Sequence, residues 1–296
     1  MEIVDNTALK LLVPTDIVPY ITNNIERSEV LNTNGNLTEM LVYWGIDELT
    51  HLNRLVSFRK SLPSPIRSDY NWPGLFKPFY HQRTTAEFLT INQRAFCFNE
   101  AGTGKTSAAI WAADYLMELG LVSRVLVICP LSIMDSAWRN DLFKFAMHRS
   151  VDIAYGQADK RKKIIQGDAE FVIINYDGMP IVKDEIAAAN FDLIVVDEAN
   201  AYKNISTVRW RTLYKLLKPE TWLWMLTGTP AAQSPLDAYG LGKLVNPLGV
   251  PKIYSAYRDM VMYQISRYRW EPKDSATDTV FNALQPAIRF TKSECL

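Results

Sequence analysis

The chain has 296 residues, of which 48% are hydrophobic, and its 32 lysines and arginines balance 32 aspartates and glutamates. This composition is typical of a globular protein and excludes a disordered or fibrous chain. A formal net charge of zero excludes a general electrostatic attraction to nucleic acid, so any basic surface must be local.

The first 70 residues lack a regular alternation of strands and helices. ALKLLV (8–13) is typical of a strand, DELTHLNRLV (47–56) of a helix, and NTNGN (32–36) of a turn or hairpin tip. The proline-rich stretch SLPSPIRSDYNWPG (61–74) indicates a connecting segment. We therefore predict a small accessory α+β region with its linker over residues 1–70, packed on a main domain over residues 71–296.

From residue 94 onward, short apolar runs alternate with longer amphipathic stretches. Continuous apolar runs are typical of strands covered on both faces, as in parallel sheets. Their alternation with helical patterns predicts the α/β class, a doubly wound parallel sheet with helices on both faces. The six runs are RAFCFN (94–99), RVLVICP (124–130), VDIAYG (151–156), FVIINY (171–176), LIVVDEA (193–199) and WLWMLTG (222–228).

The stretch EAGTGKT (100–106) lies between the first of these runs and a predicted helix that starts near Lys105. Gly102 and Gly104 allow the backbone to turn tightly towards an anion, and a helix N-terminus adds partial positive charge. Lys105 can reach the β- and γ-phosphates of a nucleotide, and the Thr106 hydroxyl can bind Mg²⁺. The alternative is a glycine turn before an ordinary helix. The predicted nucleotide-binding residues are Gln82, Glu100, Ala101, Gly102, Thr103, Gly104, Lys105, Thr106 and Ser107.

A pair of acidic residues, Asp197 and Glu198, ends the fifth apolar run. We expect this strand to be the neighbour of the one that precedes Lys105, so that both end at the sheet edge where ligands bind. Asp197 would hold Mg²⁺ and Glu198 would polarise the attacking water, so Lys105, Asp197 and Glu198 are the predicted catalytic residues. The alternative is an exposed acidic turn.

Two further segments complete the predicted site. The sixth run ends in Thr227 and Thr229, whose hydroxyls can sense the γ-phosphate and pass its state to a moving surface. Upstream of the loop, Gln82 offers a donor and an acceptor suited to an adenine edge, with Phe79 and Tyr80 beside the base. By itself, a glutamine on a helix is more often simply solvated.

In chain order, these segments resemble the first RecA-like lobe of superfamily-two helicases, and most closely the Swi/Snf-type ATPases. The similarity runs from about Lys77 to Lys292. FYHQ resembles the glutamine motif, NEAGTGKT motif I, VLVICPLSIMDSAWRNDLFKF motif Ia, FVIINYDGM the strand and tyrosine that follow, VVDEANAYKN the DEAH-type box, LTGTP motif III, and ALQPAIRFTKSECL the segment that closes the lobe.

The resemblance implies an ATP hydrolase of the helicase or translocase type, which uses ATP and Mg²⁺ to move on duplex or branched DNA. An RNA-directed or restriction-complex helicase subunit is an alternative, and so is a nucleotide-gated binding module with little turnover. The family also has a second RecA-like lobe that carries arginine fingers. We find no second lobe in the sequence, and we expect one to act together with this chain.

The chain departs from the family pattern at two positions. Asn200 stands where the DEAH-type box usually has histidine, and Gln233 stands where asparagine is frequent. Asparagine can form hydrogen bonds but cannot titrate. We therefore expect coupling between nucleotide and the other motifs to run through Asn200, Thr227 and Thr229 in a modified form.

The same resemblance predicts residues that contact the phosphate backbone of nucleic acid without reading its sequence. They are Pro130, Leu131, Ser132, Asn175, Tyr176, Lys203 and Asn204. Two basic stretches are further candidates: residues 160–163, which a solvated helix face explains equally well, and SRYRWEPK (266–273), in which aromatic side chains alternate with charges.

The cysteines and the amino terminus bear on location. Cys97, Cys129 and Cys295 fit neither a disulfide framework nor a zinc site. We see no signal peptide and no apolar run near the roughly 20 residues that span a bilayer. We therefore expect a cytoplasmic protein without a membrane partner, associated with the nucleoid or, if phage-encoded, in the host-cell cytoplasm. We also expect it to be a monomer.

Overall fold

The computed structural model describes residues 1–56, 61–231, 233–267 and 269–295. The chain forms two compact units, Met1–Asn71 with Ala86–Gln93, and Trp72–Thr85 with Arg94–Leu296. The domain boundary predicted at residue 70 stays a prediction. The first stretch of the first unit ends at Asn71, but this unit also includes the later segment Ala86–Gln93.

The first unit contains a four-stranded antiparallel sheet of order β1-β2-β4-β3. Alternate residues of two strands, among them Leu9, Leu11, Met40 and Val42, are buried, which is the period-two pattern of a half-covered sheet. The strand over 8–13, the helix over 47–56 and the hairpin tip at 32–36 were all correctly predicted. The elements are β1 (Glu2–Val4), β2 (Ala8–Pro14), α1 (Val18–Asn24), β3 (Ser28–Asn34), β4 (Leu37–Tyr43), α2 (Ile46–Leu55) and α3 (Ile66–Asp69). The next helix, α4 (Tyr80–Thr90), contributes residues to both units.

The second unit is built on a seven-stranded parallel sheet of order β13-β5-β10-β9-β6-β8-β7. All six predicted runs are strands in it, and the α/β prediction is confirmed. Every residue of β6 and of β9 is buried, which requires cover on both faces of the sheet. The strands are β5 (Arg94–Cys97), β6 (Val125–Cys129), β7 (Val151–Ala154), β8 (Phe171–Asn175), β9 (Leu193–Asp197), β10 (Trp222–Leu226) and β13 (Ala287–Ile288).

Helices connect these strands. The segment after β6 is divided into a 3₁₀ turn (Leu131–Ile133), a π-helical segment (Met134–Arg139) and a short α-helix. The helices of the unit are α5 (Lys105–Glu118), α6 (Asn140–Phe145), α7 (Ala158–Ile165), α8 (Lys183–Ala188), α9 (Val208–Leu216), α10 (Asp237–Val245), α11 (Tyr254–Val261), α12 (Ala276–Ala283) and α13 (Lys292–Cys295). None of the helices within the described residues is both long and apolar enough to cross a bilayer.

Two elements near the end of the chain have no clear sequence pattern. A hairpin of β11 (Met262–Ser266) and β12 (Arg269–Pro272) follows α11. The short strand β13 pairs with β5, and its backbone pairing continues beyond the strand, because the Glu100 amide donates to the Phe290 carbonyl at 3.0 Å. The segment that follows β13 is thus hydrogen-bonded to the residue that begins the glycine loop.

Candidate nucleotide-binding site

Three strand ends meet at one edge of the sheet. In the register of the parallel pairs, Leu226 of β10 lies opposite Cys97 of β5 on one side and opposite Asp197 of β9 on the other. The prediction that β9 is the direct neighbour of β5 is therefore wrong, because β10 lies between them. The motifs still converge, since parallel strands in register end at the same edge.

The glycine loop has the tight backbone that the sequence predicts. Gly102 and Gly104 both have left-handed φ angles, of 84° and 81°. A Cβ on Gly104 would displace the side-chain amide of Gln82, and the left-handed φ angle is the reason that this position favours glycine. Helix α5 begins directly after it, and places Lys105 and Thr106 in the first turn.

Gln82 and His81 support the glycine loop through its Thr103 carbonyl. The Gln82 side-chain oxygen accepts a hydrogen bond from the Phe79 amide at 3.0 Å, and its Nε2 lies 3.4 Å from the Thr103 carbonyl. His81 Nε2 is 2.8 Å from the same carbonyl. Phe79 and Tyr80 are exposed, 67% and 76% respectively, and the Phe79 ring stacks on His81 with 5.9 Å between ring centroids. Packing of these two aromatic side chains beside a base stays a prediction.

Lys105 connects the loop to the acidic pair. Its Nζ donates to the Glu100 carbonyl at 3.3 Å, and its positive charge acts to lower the pKa of both Asp197 and Glu198. The strands β5 and β9 end at the same edge of the sheet, with β10 between them. Lys105, Asp197 and Glu198 therefore follow strand ends at one sheet edge, and their catalytic roles stay a prediction.

Asp197 is a buried carboxylate, 6% exposed. Burial raises the pKa of its carboxyl group, and hydrogen bonds from Trp138 and from the Glu198 backbone, together with the charge of Lys105, act against this shift. Among the described residues, no lysine, arginine or histidine nitrogen lies within 4.0 Å of it. A buried carboxylate without an ion-pair partner among the described residues is a donor that suits Mg²⁺, which prefers oxygen ligands and retains water. The part of Thr106 in this metal site stays a prediction.

Glu198 has an unusual backbone for a residue with a side chain, with φ 49° and ψ 51° in the left-handed region. This conformation costs about 1 kcal/mol or more and is often found at functional sites. Burial and the neighbouring Asp197 charge raise the pKa of its carboxyl group, whereas Lys105 lowers it. The side chain is nevertheless exposed, so it has access to a water molecule.

The predicted coupling residues form one connected group. Thr227 is fully buried, and its amide donates to the Cys97 carbonyl at 3.0 Å. Its hydroxyl lies 3.3 Å from the Thr229 amide. Asn200 in turn donates to Thr229, so that β5, β10 and the turn after β9 are joined.

The predicted nucleic-acid residues lie on three loops, and most of them already have partners within the chain. Leu131 and Ser132 are exposed beside Pro130 on the turn after β6. Asn175 accepts a hydrogen bond from Arg161 at 2.8 Å, and Tyr176 donates its hydroxyl proton to the carbonyl of Asp197.

Lys203 and Asn204 follow the acidic pair and have local partners. Lys203 pairs with Asp237 at 3.2 Å, and Asn204 accepts two hydrogen bonds from Ser206. The hydrogen bonds of Asn204 close a turn, which leaves its exposed side chain less free than the sequence implies.

The basic stretches are largely engaged. Arg161 is 8% exposed and Lys162 pairs with Glu185, so the run 160–163 is not a uniform basic face. In the second stretch, Arg269 pairs with Glu271, and Tyr268 lies outside the described residues. Sequence reasoning missed the supporting role of Arg161, for which the only signal was its position in a charged run.

Comparisons with known proteins agree with this arrangement. The family model for the SNF2-related domain matches residues 81–283. The chain belongs to the SNF2-related domain family.

Two relatives illustrate the range of similarity. One is a SWI/SNF-related matrix-associated actin-dependent regulator of chromatin subfamily A-like protein 1 from Xenopus laevis, 29% identical over 187 residues that cover 61% of this chain and 18% of the relative. Another is the uncharacterized ATP-dependent helicase YqhH of Bacillus subtilis, 24% identical over 211 residues that cover 69% of this chain and 36% of the relative. The chain thus spans well under half the length of these proteins.

Among solved structures, the SWI2/SNF2 ATPase core of Sulfolobus solfataricus in complex with dsDNA is similar in fold. The TM-score is 0.63 at 21% sequence identity, over 75% of this chain and 46% of that chain. The RecA-like fold class predicted from the motif order is confirmed.

Proposed function

We propose that this chain is the first motor lobe of an ATP-dependent DNA translocase or helicase. The observation that supports it best is geometric: the segments that carry Lys105, Asp197 and Glu198 follow strands that end at one edge of the parallel sheet. Membership of the SNF2-related domain family points to the same chemistry.

The residues divide the work of ATP hydrolysis. The amides of the glycine loop and Lys105 bind the phosphates. The Gln82 side chain contacts Phe79 and Thr103, and its second N–H and second lone pair would meet the adenine edge. Thr106 and Asp197 would hold Mg²⁺, which supplies positive charge for the phosphate oxygens. Glu198 is exposed beside Asp197, and in this position its carboxylate polarises the attacking water.

DNA is the nucleic acid along which we propose that the protein moves. The fold resembles a SWI2/SNF2 core whose structure was solved with dsDNA, and one similar protein is called an ATP-dependent helicase. The exposed Leu131 and Ser132 turn lies after β6, at the same sheet edge as the acidic pair, so backbone contact there is close to the nucleotide. Contacts of this kind carry no sequence information, which suits a protein that moves along its substrate.

The test compares three nucleic acids at two salt concentrations. ATP affinity of the chain is measured with a fluorescent ATP analogue, and binding of duplex DNA, single-stranded DNA and RNA is measured with and without ATP and Mg²⁺. Hydrolysis is then measured with the second lobe present. We expect salt-sensitive binding of duplex DNA and DNA-stimulated hydrolysis.

Other outcomes separate the alternatives. Preference for RNA would favour an RNA-directed helicase subunit, and ATP-dependent binding without hydrolysis would favour a nucleotide-gated module. Absence of ATP binding would contradict the proposed function altogether.

A further inference from the structure

The indole of Trp138 contacts the buried aspartate of the candidate site. Its Nε1–H donates to Asp197 Oδ2 at 2.9 Å, across 59 residues of sequence. Trp138 is 1% exposed. It lies in the π-helical segment Met134–Arg139, and such segments occur frequently at functional sites.

The hydrogen bonds of Asp197 fix the orientation of its carboxylate. One oxygen, Oδ2, accepts from the indole, and the other, Oδ1, accepts from the Glu198 amide at 2.9 Å. Two donors on two different oxygens hold the plane of the group. Each oxygen retains a second lone pair, so a cation can still bind.

The chemistry of the donor is significant. A lysine or arginine in this place would neutralise the carboxylate, and no described lysine, arginine or histidine nitrogen is within 4.0 Å of it. The neutral indole N–H orients the group without adding a positive charge beside it. A tryptophan donor is therefore suited to an aspartate that must attract a metal ion.

The same segment begins at the candidate nucleic-acid surface. The turn Leu131–Ile133 leads without a break into Met134–Arg139, and Leu131 is exposed on it. A nucleic acid that contacts this turn would thus act on the segment that carries the indole. Within the turn and the π-helical segment, Trp138 is the one side chain that hydrogen-bonds to the Asp197 carboxylate among the described residues.

Building on the proposed function, we propose that Trp138 is a positioning residue whose indole N–H holds the Asp197 carboxylate towards the Mg²⁺ of bound nucleotide. Loss of this hydrogen bond leaves the metal site intact in composition but poorly oriented. Changes to groups that orient a metal ligand typically weaken metal binding about 10- to 100-fold.

The experiment measures ATP affinity of the chain twice, with Mg²⁺ and with EDTA, in the wild type and in Trp138→Phe. The matched control is Trp210→Phe, which removes another buried indole N–H, one that donates to the Gly240 carbonyl at 2.8 Å. We expect Trp138→Phe to reduce the gain in ATP affinity from Mg²⁺ about tenfold and to leave ATP affinity in EDTA unchanged. We expect Trp210→Phe to change neither quantity.

A second substitution guards against misfolding. Replacement of Trp138 by 3-benzothienylalanine keeps the shape of the ring and exchanges the N–H for sulfur, so its effect reports the hydrogen bond itself. A full gain from Mg²⁺ in this variant or in folded Trp138→Phe would overturn the inference. If the wild type binds ATP with no gain from Mg²⁺, the inference also fails; if it binds no ATP at all, the proposed function fails with it.

Discussion

The side chain of Asn200 is joined to Thr229 by two hydrogen bonds. Its Nδ2 donates to the Thr229 carbonyl and, at 3.0 Å, to the Thr229 hydroxyl. Asn200 lies two residues after Glu198, and Thr229 lies just beyond the end of β10. Asn200 stands where the DEAH-type box usually has histidine. It thus connects the turn after the acidic pair to the segment after β10, and its side chain does not titrate.

This connection predicts the effect of Asn200→Ala. Removal of the amide should leave ATP affinity within about twofold, because the phosphate loop is untouched. Stimulation of hydrolysis by DNA should fall about tenfold, the equivalent of one hydrogen bond of about 1.4 kcal/mol. The measurement is ATPase activity with and without duplex DNA in a protein that carries both lobes.

The control for this change is Asn24→Ala, which removes an amide that donates to the Tyr20 carbonyl at 2.8 Å in the first unit. It should affect neither affinity nor stimulation. Unchanged DNA stimulation in Asn200→Ala would remove Asn200 from the coupling group.

Lys105→Ala tests the phosphate loop. It removes the charge that faces the phosphates, while the loop keeps its two left-handed glycines and its support from Gln82. Since a charge-assisted contact with phosphate is strong, ATP affinity should fall at least about tenfold. Titration with a fluorescent ATP analogue measures this, with exposed Lys163→Ala on α7 as the control. Equal affinity in wild type and Lys105→Ala would count against the loop assignment.

Glu198→Gln separates binding from chemistry. Glutamine has nearly the shape of glutamate, but it cannot polarise water as a base. ATP binding should persist, and hydrolysis by the two-lobed protein should fall about 100-fold or more. The control is Asp152→Asn on the exposed side of the edge strand β7. Substantial turnover in Glu198→Gln would assign the base to another residue.

Much of the fold was predictable because its signals are local. Strands buried on both faces produce continuous apolar runs, and all six runs form strands. The position of β10 between β5 and β9 was not predictable, because strand order depends on tertiary pairing and every run looks alike. The strand β13 has only two residues, which is too short for a recognisable sequence pattern. It joins the sheet through backbone pairing with β5.

The candidate site shows the same division. The glycines of the loop were recognisable because the backbone conformation itself demands them. The hydrogen bonds from Trp138 to Asp197 and from Arg161 to Asn175 join residues that are 59 and 14 positions apart in sequence. Neither tryptophan nor arginine signals such a partner in its local sequence, because the contact depends on packing.

Away from the candidate site, Glu170 ties together the turn that precedes β7. It accepts from Arg149 at 2.7 Å and from the Ser150 amide at 2.8 Å. Burial by itself would raise the pKa of the Glu170 carboxyl group, but the hydrogen bonds from Ser150 and the charge of Arg149 outweigh it, and the pKa is lowered.

The lowered pKa of Glu170 gives its contribution to stability a definite sign. The stabilisation is complete above the ordinary glutamate pKa of about 4.3 and is lost as the pH falls through the lower pKa of the folded state. Glu170→Gln should therefore lower the free energy of unfolding by about 1 kcal/mol at pH 7, and this difference should shrink below about pH 4.5. Denaturant unfolding at several pH values measures it. Asp135→Asn, which breaks an exposed ion pair with Arg139, should have little effect at any pH; a Glu170→Gln difference that is constant with pH would show that the charge is not what stabilises the turn.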